Sequence, residues 1–140
     1  MASEVDIANS ALNMIGASNI NSLTEDSVAA RIVNQRYTFV RDAVFRSHPW
    51  NSLIRRATLA ENSTAPTWGF TKAYNLPTDP FCLRVLRIEN LDINFRVEGR
   101  TIVTDETTMK IKYVARITDP NEYDSLLMES ISARLAADIC

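Results

Sequence analysis

The sequence predicts an α+β fold: an N-terminal helix pair, an antiparallel β-meander of about four to six short strands, and a C-terminal helix packed with the N-terminal helices. Three observations predict it. Apolar residues recur at three- and four-residue steps over about 4–15, 26–47 and 120–140. Between the second and third of these segments, over about 52–116, the runs are short, rich in β-branched and aromatic residues, and separated by turn residues. Helices before and after such a region, with none inside it, predict helices segregated to one side or end of an antiparallel sheet. At 140 residues the chain is expected to form a single domain, 1–140, large enough to bury its own core.

The first helix places Val5, Ala8, Leu12 and Ile15 on one face, with Ser3 as N-cap, Glu4 and Asp6 at the positive end of the dipole, and Gly16 to stop it. In the connector that follows, Ile20 and Leu23 are expected core anchors. Thr24 or Asp26 is the expected cap of the second helix, and Pro49 ends it by biasing His48 away from helical geometry. Val28, Ile32, Val40 and Val44 form one row, with Ala29, Val33 and Tyr37 beside it. Phe39 and Phe45 widen the apolar surface, which predicts packing on more than one side.

Strands are expected over 52–59, 69–75, 83–89, 94–98, 101–104 and 109–116. Phe95-Arg96-Val97 and Ile102-Val103 flank Gly99 as a hairpin, and the alternation from Met109 to Val114 marks a half-exposed strand. Asp119-Pro120 should open the third helix, an N-cap followed by proline at the first helical position. Along it Tyr123, Leu127, Ile131, Leu135 and Ile139 keep a four-residue step, and Leu126 broadens the face. The chain stops inside this helix at Cys140, without a closing glycine, proline or basic last turn.

Chemistry is scarce. Hydrophobic residues make up 46% and charged residues 23%, an ordinary globular composition that excludes a disordered tail, a rod or a disulfide-built miniprotein. Cys82 and Cys140 have no CxxC spacing and no clustered histidines, so neither zinc nor redox chemistry is indicated. The acidic N-terminus is no signal peptide, and no window approaches about 18 uninterrupted apolar residues, so no membrane partner is expected. His48, the one histidine, sits at a helix end, where a structural role is expected. Ser47 beside it makes no dyad, because adjacent helical residues diverge by about 100°. The acid pairs Glu25/Asp26 and Asp105/Glu106 fit a helix start and a turn. There is no GxSxG elbow, phosphate loop or calcium loop. The sequence therefore offers no catalytic, cofactor-binding or metal-ligating residue, and no cofactor and no enzymatic activity are expected.

The net charge of −2 is a cancellation. Residues 1–30 carry four acids and no base; residues 31–56 carry six arginines against Asp42; residues 117–140 carry five acids and Arg134. Arg31, Arg36, Arg41 and Arg46 recur in steps of five, and each step turns about 140° around a helix, so they spread around it instead of forming one DNA-binding stripe. A solvated or acid-paired set is expected, with the acidic first and third helices as counterpart. Trp50 and Trp68 are expected at the core or at helix–sheet junctions.

Ala11-Leu12-Asn13-Met14-Ile15-Gly16, Ile20, Ser22-Leu23-Thr24-Glu25-Asp26, Ala29-Ala30, Tyr37, Arg41-Asp42 and Pro49-Trp50 form an ordered succession. It continues through Trp68-Gly69-Phe70, Tyr74-Asn75-Leu76-Pro77-Thr78-Asp79, Leu83-Arg84-Val85 and Leu135-Ala136. This succession resembles the tail tubular protein A family of T7-like phages, the gatekeepers or head-to-tail adaptors. Each motif alone is weak; their order and spacing cover nearly the whole chain. The resemblance implies a virion structural protein of the tail or neck, made in the host cytoplasm. Family members form a ring, typically of twelve subunits, between the portal and the downstream tail or nozzle protein. They line a channel for non-specific passage of double-stranded DNA and help retain packaged DNA. Adaptors of this group usually continue past the point where this chain stops, into the part expected to engage the portal, so no portal-binding residue is assigned. Two alternatives stand beside it: a head-completion or connector protein of another tail type, and a small virion-associated cell-wall hydrolase with His48 as its one candidate residue.

Overall fold

The computed structural model describes residues 3–90 and 92–140. Among them, three α-helices that pack together and six strands in two small antiparallel sheets make an α+β fold. The chain divides into two compact units. One comprises the chain up to Ser52 together with Ile117–Cys140, and the other is Leu53–Arg116.

The first unit is helical. Helix α1, Glu4–Met14, is capped by Ser3, whose Oγ accepts from the Asp6 amide at 3.1 Å. Its C-terminus is closed by Gly16 at φ +76°: the Gly16 amide donates to Asn13 O at 3.2 Å and the Ala17 amide to Leu12 O at 2.9 Å. The connector is tied back through Asn9, whose side-chain amide donates to Ile20 O and accepts from Ile20 N–H. This buries Ile20 as expected. Helix α2, Val28–Ser47, is capped by Ser27 and not by Thr24 or Asp26. The preceding residues are committed to the connector: Ser22 and Thr24 hydroxyls pair with each other, and the Glu25 carboxylate accepts from the amides of Asn21 and Ser22. Those amide bonds, the one from Asn21 first, hold the Glu25 carboxyl below its ordinary range.

The buried face of α2 is Ala30, Val33, Tyr37, Val40, Arg41, Val44 and Phe45. The expected apolar row is thereby split. Val40 and Val44 are buried, whereas Val28 and Ile32 are 65% and 42% exposed. Four-residue steps advance 400°, so such a row drifts by about 40° per step and crosses from the outer to the inner side of a straight helix. Past the helix end, Trp50 is buried and its indole N–H donates to Val44 O at 2.9 Å.

The Asp119-Pro120 signal opens only a 3₁₀ turn, Pro120–Glu122. Tyr123 then returns to extended backbone, its hydroxyl donating to Ile117 O and its ring meeting Phe45 edge-on at 5.5 Å. Asp124 supplies the true cap of helix α3, Ser125–Ile139, accepting from the Leu127 amide at 2.7 Å. Tyr123, Leu127, Ile131 and Leu135 are buried as the four-residue step predicts. Leu126 points outward, 67% exposed, instead of broadening that face. Helix α3 packs on both α1 and α2, and Ser132 Oγ donates to Ile7 O across the α1–α3 contact at 3.2 Å.

In the second unit all six expected strands are present: β1 Ile54–Thr58, β2 Lys72–Asn75, β3 Cys82–Ile88, β4 Phe95–Glu98, β5 Thr101–Thr104 and β6 Lys110–Ala115. They fall into two sheets, of order β1-β6-β3 and β2-β5-β4, with every neighbouring pair antiparallel. The β4–β5 hairpin turns at Gly99, φ +61°, the first central position of a two-residue loop. Strand β6 alternates as expected from Lys110 to Tyr113, with Ile111 and Tyr113 buried, Lys110 exposed and Lys112 half-buried, but the alternation stops at Val114, which is buried along with Ala115. Arg100 ties that hairpin to the start of β3: its guanidinium donates to Cys82 O at 2.6 Å and Pro77 O at 3.0 Å and lies over the Phe81 ring.

Candidate functional site

The residues that sequence analysis weighed for chemistry stay apart. His48 forms the C-cap of α2, with its ring edge-on to Trp50 at 4.8 Å. Cys82 is buried at the start of β3 and Cys140 is exposed, and the two form no disulfide. Among the described residues no group of three or more His, Cys, Asp or Glu is placed to hold a metal ion, and no helix is long and apolar enough to cross a membrane.

Three of the arginines of α2 have carboxylate partners. Arg31 pairs with Asp26 at 2.8 Å, Arg36 with Asp138 of α3 at 2.5 Å, and Arg41 with Asp42 at 3.3 Å. Arg41 is buried, its guanidinium 5.9 Å from the Tyr37 ring centre. Arg36, held by two hydrogen bonds to Asp138, has its pKa raised, and the same bonds depress the Asp138 carboxyl. Arg31, Arg36 and Arg41 are thus the acid-paired set that the sequence leads one to expect.

Two features lie where the sequence reading did not place them. Trp68 is 85% exposed, not at a junction. Gly69, at φ +90°, turns the backbone there, and β2 begins only at Lys72, which leaves the indole on the loop. On α2, Phe39 is 65% exposed and stands with Val28 and Ile32 on the side opposite the buried face, an outward apolar stripe in which the Arg36 guanidinium lies 5.5 Å from the Phe39 ring centre.

The third feature is a surface built by strand register. Residues directly opposite in a ladder project from the same face. Ile111, Tyr113, Ile88 and Cys82 occupy the buried face of the β1-β6-β3 sheet. On the other face Val114, opposite Ile54 and Arg84, is buried, and next to it Arg56 is paired with Lys112, and Lys112 with Arg87. Three cations from three strands therefore stand in one row, with Lys110 opposite Thr58 in the next. Arg87 reaches this row through the register shifts in β3 at 82/84 and 85/87; without the second, Leu86 would oppose Lys112. Arg56, Thr58, Arg87, Glu89, Lys110 and Lys112 line a shallow groove of about 340 Å³, in which Glu89 is the one acid. None of the described carboxylates pairs with Arg56, Arg87, Lys110 or Lys112. Like charges directly opposite across strands are destabilising, so the row is held against its own repulsion. Sequence reading missed it because residues 56, 87 and 112 are far apart in the chain and only register joins them.

No protein-family model and no curated protein matches this sequence.

Proposed function

We propose that this protein is a structural component of a phage neck, a head-to-tail adaptor that assembles as a ring between the portal and the downstream tail or nozzle protein, surrounds the DNA channel and helps retain packaged DNA. The ordered succession of motifs from Ala11 to Ala136 carries the reading. Several of those motifs have fold-defining duties here: Gly16 closes α1, Pro49-Trp50 terminates α2, and Pro77 receives the Arg100 clamp.

The outward stripe of Val28, Ile32 and Phe39 supports self-assembly. A contiguous apolar surface on a helix calls for cover, and a contact between two different faces of identical subunits closes into a ring when its rotation permits. Negative-stain microscopy of the protein mixed with its portal tests the reading. Rings seated on the portal are expected; particles with neither ring nor portal complex would overturn it.

A further inference from the structure

We infer that the cationic end of the outer face of the β1-β6-β3 sheet is a docking surface for the phosphate backbone of duplex DNA, with Arg56, Lys112 and Arg87 as its central row and Lys110 beside them. The row spans two interstrand spacings, about 9–10 Å, and points four cations outward against one acid, Glu89. Its central row, Arg56, Lys112 and Arg87, keeps like charges adjacent with no carboxylate paired to them, while Glu89 stands beside Lys110, an excess of positive charge that an external polyanion relieves.

What the face lacks identifies its occupant. Protein–protein interfaces are anchored by large apolar or aromatic side chains, and among the described residues the exposed ones lie elsewhere, Phe39, Val28, Ile32, Leu126, Trp68 and Val97 among them. Single-stranded nucleic acid is held by aromatic platforms on which bases stack, and this face has none. Cations plus the Thr58 hydroxyl, without stacking groups, match phosphate rows of a duplex, contacted without reading sequence. The overall charge of −2 keeps that grip weak, which suits a duplex that must slide. The inference rests on the adaptor reading only for duplex DNA as the polyanion met in nature.

The test is fluorescence anisotropy of a labelled random-sequence duplex with the full chain, titrated from about 50 to about 200 mM salt. Arg56→Ser, Lys112→Ser and Arg87→Ser together should reduce the slope of log affinity against log salt by about 2.7. Wild type should then lose roughly 40-fold more affinity than the variant across that range. A control with Arg31→Ser, Arg96→Ser and Arg134→Ser removes equal charge from other exposed positions and should keep the wild-type slope. No binding by wild type at the lowest salt, an unchanged slope in the face variant, an equal change in the control, or tighter binding to a single strand would each overturn the inference. So would a face variant that loses self-association while keeping DNA, since the occupant would then be an acidic surface of a second copy. The two readings fail separately. DNA binding with this slope but no ring on the portal keeps the face and removes the adaptor. Rings on the portal without salt-dependent DNA binding keep the adaptor and remove the face.

Discussion

Leu126 and Leu127 are neighbours on α3 with opposite surroundings, so truncating each to alanine separates burial from every other property of the helix. Leu127 is fully buried on the side where α3 meets the other helices, while Leu126 faces outward. Leu127→Ala removes three carbons, about 2.4 kcal/mol of transfer free energy at about 0.8 per methylene. If about 50 Å³ of the vacated space stays open, the cavity adds about 1.2 kcal/mol, for a total near 3.6. Leu126→Ala loses little contact and gains slightly in helix propensity, so its effect should stay within about 0.5 kcal/mol. Urea titration followed by helical circular dichroism reads the difference, because all three α-helices belong to one unit. Fluorescence of the buried Trp50 gives a second probe of that unit. With a slope of about 2 kcal/mol per molar, the Leu127→Ala midpoint should fall by about 1.8 M. A Leu127→Ala change below about 0.5 kcal/mol at unchanged slope, or equal losses in both variants, would refute the assignment of inner and outer faces.

Three further outcomes follow from the same geometry. Tyr37 is buried with a hydroxyl that has no hydrogen-bond partner, and burial pushes its pKa up to about 12; Tyr37→Phe should stabilise by about 1 kcal/mol at neutral pH. Because the folded pKa lies above the unfolded value of about 10, wild type should lose stability as pH rises from about 10 to 12, and the variant should lose less; matching alkaline limbs would count against the assignment. Asp138 is depressed by Arg36, so its contribution is present above the unfolded carboxylate pKa of about 3.9 and is lost as pH falls through the lower folded value. Acid unfolding of Asp138→Asn should accordingly be less steep below about pH 4, and an acid limb identical to wild type would show the pair to be without effect. Phe39→Asp should leave monomer stability within about 0.5 kcal/mol while abolishing self-association in sedimentation velocity, and a destabilised monomer would place Phe39 in the core instead.

The fold was largely legible because its signals are local. Gly16, Pro49 and Gly99 punctuate the chain where their backbone demands predict, and the first half of β6 keeps its alternation in its burial pattern. Misreadings arose where a local signal met a geometric drift or a competitor. Val28 and Ile32 share a four-residue step with Val40 but lie on the far side of α2. Asp119-Pro120 is a sound helix start that Tyr123 interrupts and Asp124 restarts. Trp68 shows that a large aromatic side chain in a turn-rich loop does not imply burial. The cationic row was hidden for a deeper reason. Its members belong to β1, β3 and β6, and a bulge decides which face Arg87 occupies, so no window of sequence contains it.

The order in which the chain leaves the ribosome acquires a meaning from the discontinuous helical unit. Helix α1 appears first, yet its partner α3 begins only at Ser125, after the whole β-unit has been made. At about 5–20 residues per second, the Ile7–Ser132 bond must wait roughly 6–25 s. The β-unit is one continuous segment whose first and last strands pair with each other, Ile54 opposite Val114, so it can close while α1 is still without its partner. Synthesis therefore leaves the helical unit open until last. The surfaces of α1 and α2 that α3 covers in the finished fold stay open during that interval.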